Sequence, residues 1–179
     1  MRRYAKLAAR LRVPSGFLVA ALYLFFSQPA RTSLAAGLPL ALAGLLLRAW
    51  AAGHLAKNEA LAATGPFACT RHPLYLGSLT VGAGFALAGW NLWLALLLFL
   101  YFVLFYLPVM GEEESHLRAL FPEYAAYASR VPRFWPRLAS GCAAAGNFRW
   151  SLYLRNREYQ GLVGYMVAAA ILVGKLHRA

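Results

Sequence analysis

Five apolar segments, separated by polar stretches, limit what this chain can fold into more than any other feature of its sequence. A helix needs roughly 20 mainly apolar residues to cross a bilayer, and fewer where neighbouring helices or interfacial anchors shield its ends. Hydrophobic residues make up 61% of the 179 residues and charged residues only 13%, which is more apolar surface than a water-soluble domain can bury. The segments cover about residues 14–26, 33–54, 74–88, 92–110 and 160–175. We therefore predict an all-α integral membrane protein with about five transmembrane helices, forming one domain over residues 1–179.

The third and fourth segments are predicted to form a helical hairpin at the core of the protein. Only Gly89, Trp90 and Asn91 separate them, so the chain must reverse tightly and the two helices must run antiparallel. Small residues let helices approach closely in a membrane, and the third segment contains or adjoins Gly77, Gly82, Gly84 and Gly89. The hairpin brings the start of the third segment close to the end of the fourth.

The positions of the basic residues predict the topology. A net charge of +12 would indicate a nucleic-acid partner in a soluble protein, but here the basic residues lie between apolar runs, where they meet anionic headgroups. Most of them fall in the N-terminus, in the loop after the second segment and in the polar region 111–159, whereas the loops on the opposite side have only Arg31, Lys175 and Arg178. By the positive-inside rule, the N-terminus and both polar regions face the cytoplasm. We predict a membrane location and no nucleic-acid partner.

We make one prediction for the N-terminus and one for the two cysteines. The N-terminus has the basic-then-apolar order of a signal peptide but no small-residue cleavage site before Gln28-Pro29, so we predict that it is retained as the first span. Cys69 and Cys142 are placed in the reducing cytosol and lack the spacing of a metal-ligand pair. Neither a disulfide nor a metal site is therefore expected.

The polar region after the fourth segment is predicted to contain an amphipathic helix. Its apolar and aromatic residues recur at helical spacing, while the charged residues fall largely elsewhere. The repeating positions are Leu117, Leu120, Phe121, Tyr124 and Tyr127. We predict a break at Pro122, and a helix that lies in the interface with no further role remains an alternative.

Three polar groups are candidates for chemistry: the run Arg71–Gly77, the glutamates 112–114 and Arg48 within the second segment. Consecutive glutamates at a helix C-terminus beside a membrane are unfavourable unless a cation adjoins them. Arg71 and His72 would supply one by an ion pair across the hairpin ends, and a cationic ligand is the alternative. Arg48 either faces a partner or cavity or extends toward the interface. Spacing alone leaves both questions open.

Two motifs flank the hairpin. The first is GPFACTRHPLYLG at residues 65–77, and the second begins at Glu113-Glu114 and continues through Leu117, Phe121, Tyr124, Tyr127, Val131 and Pro132. Both resemble the motifs of the isoprenylcysteine carboxyl methyltransferases and the related phospholipid methyltransferases. The resemblance covers about residues 55–136. It implies S-adenosyl-L-methionine as the cofactor, a lipophilic or lipidated acceptor that enters from the bilayer, and a cofactor region formed by residues 55–74 and 111–159.

Carried over by position, the resemblance implies both a cofactor pocket and catalytic residues. The residues implied to bind the cofactor are Leu61, Ala62, Phe67, Arg71, His72, Pro73, Leu74, Tyr75, Gly77, Glu113 and Glu114. This set is chemically suitable, because the cofactor's sulfonium, ammonium and carboxylate call for an acidic group, hydrogen-bond donors and aromatic faces. Glu113 and Arg48 are the two residues to which we assign catalytic roles.

The chain departs from the family pattern in ways that leave the acceptor open. Phe67 stands where the family turn usually has tyrosine, and Val109 replaces an arginine that the prenylcysteine enzymes use for their substrate. The cations that could take over are Arg48, Arg149, Arg155 and Arg157. An isoprenylcysteine-like carboxylate, a lipid amine and a thiol all remain possible, and an amine would lose its proton to Glu113, Glu114 or His116. The cluster 156–159 is either an interfacial anchor or part of the acceptor site.

Two other functions compete with methyl transfer. Membrane sterol reductases, which use NADPH, carry a similar H-x-x-Y-x-G element, but they usually have an acidic residue after the glycine and this chain has Ser78. The other alternative is a membrane scaffold without catalysis.

Overall fold

All regular secondary structure in the computed structural model is helical over the residues it describes, 2–136 and 146–177. The helices are α1 (Arg2–Phe26), α2 (Arg31–Ala52), α3 (Pro73–Gly89), α4 (Leu92–Tyr101), α5 (Leu107–Leu120), α6 (Tyr124–Arg130), α7 (Trp150–Arg155) and α8 (Tyr159–Leu176). A 3₁₀ turn covers Gly65–Ala68, and a π-helical segment, Phe102–Tyr106, joins α4 to α5. The predicted all-α class is confirmed.

Three helices are long and apolar enough to cross a membrane. They are Arg31–Ala52, the continuous helix Leu92–Leu120 and Tyr159–Leu176, and two shorter apolar helices cover Pro14–Phe26 and Pro73–Gly89. These five correspond to the five predicted segments, so their helical and apolar character is confirmed. Because two of them are short, the count of five crossings stays a prediction. The first helix begins well before the predicted segment and contains Pro14.

The α3–α4 hairpin forms as predicted. Its reversal depends on Trp90, whose backbone is left-handed with φ of 47°, and on Asn91, which caps α4. The Asn91 Oδ1 accepts hydrogen bonds from the backbone N–H groups of Trp93 at 3.0 Å and Leu94 at 3.4 Å. An asparagine at this position satisfies N–H groups that have no partner within the helix. The turn thereby directs α4 back along α3.

The closest helix packing lies between α2 and α3 rather than within the hairpin. A Cβ on Gly84 would lie 2.3 Å from the backbone nitrogen of Ala41, and one on Gly44 would lie 2.7 Å from the carbonyl oxygen of Gly77. Real Cβ atoms do not approach other atoms this closely. Glycines on both helices therefore allow backbone-to-backbone contact.

The polar region contains the predicted helix break. α5 ends at Leu120 and α6 begins at Tyr124, so Pro122 lies in the turn between them. Cys69 is disulfide-bonded, which means that the expectation of no disulfide is wrong for this residue. Cys142, Arg137 and Arg178 lie outside the described residues.

Candidate functional site

Glu114 is the centre of a cluster that ties the start of α3 to α5. Its Oε1 accepts a hydrogen bond from His72 Nε2 at 3.0 Å and lies 3.2 Å from both Arg71 Nη1 and Arg133 Nε. The ion pair between the hairpin ends, one of the two alternatives left open by the sequence, is therefore present. Arg133, from the segment after α6, was not expected in it.

His72 is neutral in this cluster at neutral pH. Only 4% of its side chain is exposed, and burial lowers the pKa of His72 even though its hydrogen bond to Glu114 and the charge of Glu113 oppose this shift. A carboxylate held by arginines can only accept hydrogen bonds, so Nε2 carries the imidazole proton. Nδ1 then presents a lone pair, with Glu113 Oε2 4.0 Å away.

A pocket of about 380 Å³ lies beside this cluster, within the range of roughly 300–1,000 Å³ typical of small-molecule sites. We name it the cofactor pocket. It collects most of the residues predicted for the cofactor: Leu61, Ala62, Phe67, Arg71, His72, Pro73, Leu74, Tyr75 and Glu113. Val109, which replaces the expected arginine, lines it as well.

Three predicted site residues lie elsewhere. Gly77 packs against α2, where an added Cβ would lie 2.6 Å from Arg48 Cγ. Glu114 holds Arg71 and His72 and does not line the pocket itself. Arg48 lines a second cavity, described below. These three residues position their neighbours and do not line the cofactor pocket.

Several residues outside the set predicted for the cofactor complete the pocket. Glu112, His116, Tyr124 and Tyr127 line it together with the loop around Asn58. Both tyrosines belong to the second motif, so their spacing was a usable signal, and the Tyr127 hydroxyl donates to the carbonyl oxygen of Phe67 at 2.7 Å. Burial raises the pKa of Tyr124 and of Tyr127, so both remain protonated.

Arg71 and Tyr124 lie side by side in the wall of the pocket. A hydrogen bond between the two side chains lowers the pKa of Tyr124, although burial has the larger effect and raises it. Arg71 Nε and the Tyr124 hydroxyl are themselves shielded from solvent. A guanidinium and a phenol side by side suit an anionic or polar group of a ligand.

Arg48 is held by an ion pair within the helices. Its Nε and Nη2 donate to the two carboxylate oxygens of Glu158 at 2.9 and 2.7 Å, and its Nη1 donates to Ser78 Oγ and, at 3.3 Å, to the carbonyl oxygen of Leu74. The structure therefore places Arg48 against a partner, one of the two alternatives left open by the sequence. The cluster 156–159 supplies that partner, and its Asn156 donates to the carbonyl oxygens of Ala52 and Leu55.

Arg48 and Ser78 also line a second, larger cavity of about 860 Å³. We name it the apolar cavity. It lies between α1, α2, α3, α4, the π-helical segment and α8. Tyr106 of the π-helical segment lines it, and the Tyr106 ring contacts the ring of Tyr75, a residue of the cofactor pocket, with centroids 5.7 Å apart. The two cavities are therefore neighbours separated by a pair of aromatic rings.

Comparison with known proteins adds an independent observation. The family model for phospholipid methyltransferases matches residues 32–124. These include α2, the first motif, the hairpin and the start of α6. No solved structure matches the chain significantly.

Two curated proteins are similar to part of the chain. The cobalt-zinc-cadmium resistance protein CzcN of Cupriavidus metallidurans is 35% identical over 120 residues, which are 66% of this chain and 53% of that protein. The nickel-cobalt-cadmium resistance protein NccN of Alcaligenes xylosoxydans xylosoxydans is 37% identical over 94 residues, 51% of this chain and 44% of that protein. The chain thus spans about half the length of the curated relatives it matches.

Proposed function

Because the chain belongs to the phospholipid methyltransferase family, which implies a membrane methyltransferase, we propose that it transfers a methyl group from S-adenosyl-L-methionine to a lipophilic acceptor. The observation that carries this proposal is the cofactor pocket, where Arg71, His72 and Glu113 converge with aromatic rings. The motifs that suggested the function in the sequence supply most of its lining.

The residues of the pocket fit the three charged groups of this cofactor. Arg71 and Tyr124, which lie side by side in the pocket wall, would hold the carboxylate. Glu112 and Glu113 would hold the ammonium group, and the ring of Tyr75 would face a cation. When bound, the cofactor supplies a methyl group on a sulfonium, which is already activated for transfer. The contribution of the protein is then mainly to align the two reactants and to exclude water.

We assign to Glu113 the removal of a proton from an acceptor that has to be deprotonated for methyl transfer. Its side chain is 40% exposed, and it lines the cofactor pocket. Among the described residues no arginine pairs with it, unlike Glu114, which is close to Arg71 and Arg133. Its carboxylate is therefore accessible from the pocket, and a general base must come within hydrogen-bond distance of the proton that it removes.

We further propose that the cofactor pocket faces the cytoplasm. We also propose that the chain contributes to metal resistance, the role named for its relatives. The basic residues support the orientation, whereas the disulfide at Cys69 is unusual for a reducing compartment. Labelling Asn58→Cys in intact cells with a membrane-impermeant maleimide tests the orientation. Protection in intact cells and labelling after permeabilisation are expected, and labelling in intact cells would refute it.

Calorimetric titration of the detergent-solubilised protein with S-adenosylhomocysteine tests the cofactor. We expect saturable binding that weakens at least about tenfold, or roughly 1.4 kcal/mol, in Glu113→Gln and in His72→Gln. Glu123→Gln and His177→Ala are matched controls, since neither residue lines the pocket, and both should bind like the wild type. Absence of binding by a folded wild-type protein would refute the proposal.

A further inference from the structure

The apolar cavity has a polar end formed by Arg48 and Ser78. The rest of its lining is apolar or tyrosine, and its volume of about 860 Å³ is more than twice that of the cofactor pocket. Gly82 and Gly164 both line it, and a Cβ on either would find no described heavy atom within 4 Å. The space is therefore large enough for a long apolar molecule.

The charge at the polar end is already neutralised. Arg48 uses four of its five N–H groups within the protein, two of them in a bidentate pair with Glu158, whose side chain is only 12% exposed. Ser78 Oγ accepts from Arg48 and donates to the carbonyl oxygen of Leu74 at 3.0 Å. Neither residue has an uncompensated charge to offer to a ligand.

The other polar groups of the cavity are also engaged. The Tyr23 hydroxyl donates to the carbonyl oxygen of Phe85 at 2.6 Å, and the Tyr165 hydroxyl donates to that of Leu38 at 3.2 Å. A ligand charge buried here would lose its hydration without gaining a counter-ion, which is strongly unfavourable. An uncharged ligand avoids this penalty.

We propose that the apolar cavity binds an uncharged, long-chain lipophilic molecule, and that the Arg48–Glu158 ion pair excludes anionic ones. If the proposed function holds, this molecule is the methyl acceptor. Only that identification rests on the proposed function, and the binding of an uncharged molecule does not. Its polar end would lie near Ser78, one turn of α3 beyond Leu74 of the cofactor pocket, and beside the Tyr75–Tyr106 ring pair. The cofactor pocket next to it also lacks a carboxylate anchor, because Val109 stands there in place of the family's arginine.

Photocrosslinking tests the selectivity. Three diazirine probes with the same chain are used: hexadecanol, hexadecanesulfonate and hexadecyltrimethylammonium, in a maltoside detergent. The wild type should crosslink the alcohol at peptides of the cavity, at least about tenfold more than either charged probe at equal concentration. In Glu158→Gln, which leaves Arg48 without its counter-ion, crosslinking of the sulfonate should rise at least about tenfold relative to the alcohol.

Glu59→Gln is the matched control for this variant. Glu59 forms a bidentate pair with Arg155 at 2.8 and 3.2 Å, but both side chains are exposed and neither lines the apolar cavity. We expect no change in probe preference. Equal labelling of all three probes in the wild type, or an unchanged preference in folded Glu158→Gln, would overturn the proposal.

A second set of variants does not depend on the ion pair. Gly82→Leu and Gly164→Leu fill the cavity and should reduce crosslinking of the alcohol at least about fivefold, whereas Gly174→Leu, which adds the same side chain outside the lining, should not. Equal labelling of all three variants would show that the alcohol probe binds only at the protein surface, and this result would overturn the proposal. S-adenosylhomocysteine binding is measured in the same samples. Failure of the probes with intact binding refutes this inference alone, and failure of that binding in the wild type refutes the proposed function.

Discussion

The two sides of α3 use the same residue type for opposite purposes. On the side that faces α2, a Cβ on Gly84 would lie 2.3 Å from the backbone of Ala41. On the side that faces the apolar cavity, a Cβ on Gly82 would meet no described heavy atom within 4 Å. One glycine therefore permits close packing and the other keeps space open, although they are two positions apart. A glycine in a membrane helix is therefore compatible with close packing and with open space.

The two partly buried carboxylates beside α3 differ in a related way. Glu114 is shared by Arg71, His72 and Arg133 at the cofactor pocket. Glu158 pairs with Arg48 alone among the residues that the structure describes, at the apolar cavity. The cofactor pocket is lined by charged side chains of both signs, with Glu112 and Glu113 beside Arg71, whereas the apolar cavity has one ion pair at its polar end. This difference suits a charged ligand in the cofactor pocket and an uncharged one in the apolar cavity.

The largest effect is expected where α2 and α3 touch. Gly84→Val would place its Cβ against backbone atoms of α2, which cannot move without separating the two helices. We expect a loss of about 3 kcal/mol of stability, at the upper end for overpacked interiors. Thermal unfolding followed by circular dichroism in detergent measures it. A melting temperature equal to that of the wild type would show that the close α2–α3 contact is not required.

The next largest effect is expected at the shared carboxylate. Glu114→Gln leaves Arg71, His72 and Arg133 without their common acceptor charge. Breaking a buried pair costs roughly 3–5 kcal/mol, but Arg133 is 50% exposed and water can solvate it. We therefore expect a loss of roughly 2 kcal/mol in chemical unfolding.

Glu59→Gln is the control for that loss. It removes a carboxylate from an arginine ion pair on the surface, where such pairs contribute about 0–1 kcal/mol. Equal losses in Glu59→Gln and Glu114→Gln would contradict the assignment of Glu114 as the centre of the cluster.

A smaller, pH-dependent effect is expected from His72. Burial lowers its pKa in the folded state, so between that pKa and about 6.5, the ordinary value, the unfolded chain binds more protons. The stabilisation by neutral His72 is therefore complete above about pH 6.5 and decreases as the pH falls through the folded-state pKa. Melting temperatures of the wild type and of His72→Gln, compared over that interval, should differ in slope, with the wild type losing more stability on acidification. Parallel curves would argue against a titrating His72.

The sequence was sufficient for features that depend on neighbours along the chain. The reversal at residues 89–91 required the start of α3 to meet the helix that follows it, which is why the contact between His72 and Glu114 was one of the predicted alternatives. Pro122 predicted the break between α5 and α6 for a local reason, because proline cannot continue a helix.

Features that depend on which helices meet could not be predicted from one sequence. Glu158 lies 110 positions from Arg48, and nothing in its local pattern indicates that α8 returns to α2. Small residues are evident in the sequences of α2 and α3, but their spacing does not specify a partner helix. The sequence therefore predicts a hairpin core and does not predict the α2–α3 contact. Arg133 joined the Glu114 cluster from an irregular segment, where periodicity gives no direction.

The smallest expected effect is at the open side of α3, and it separates the two glycines most directly. Gly82→Ala adds a methyl group where no described atom lies within 4 Å, so it should cause no clash. Alanine is also favoured over glycine within a helix by about 0.5–1 kcal/mol. We therefore expect a gain of about 0.5 kcal/mol in stability, measured by the same thermal unfolding as for Gly84→Val. The test is whether the two substitutions change stability in opposite directions. A destabilised Gly82→Ala would mean that the space beside α3 is closed in the folded protein.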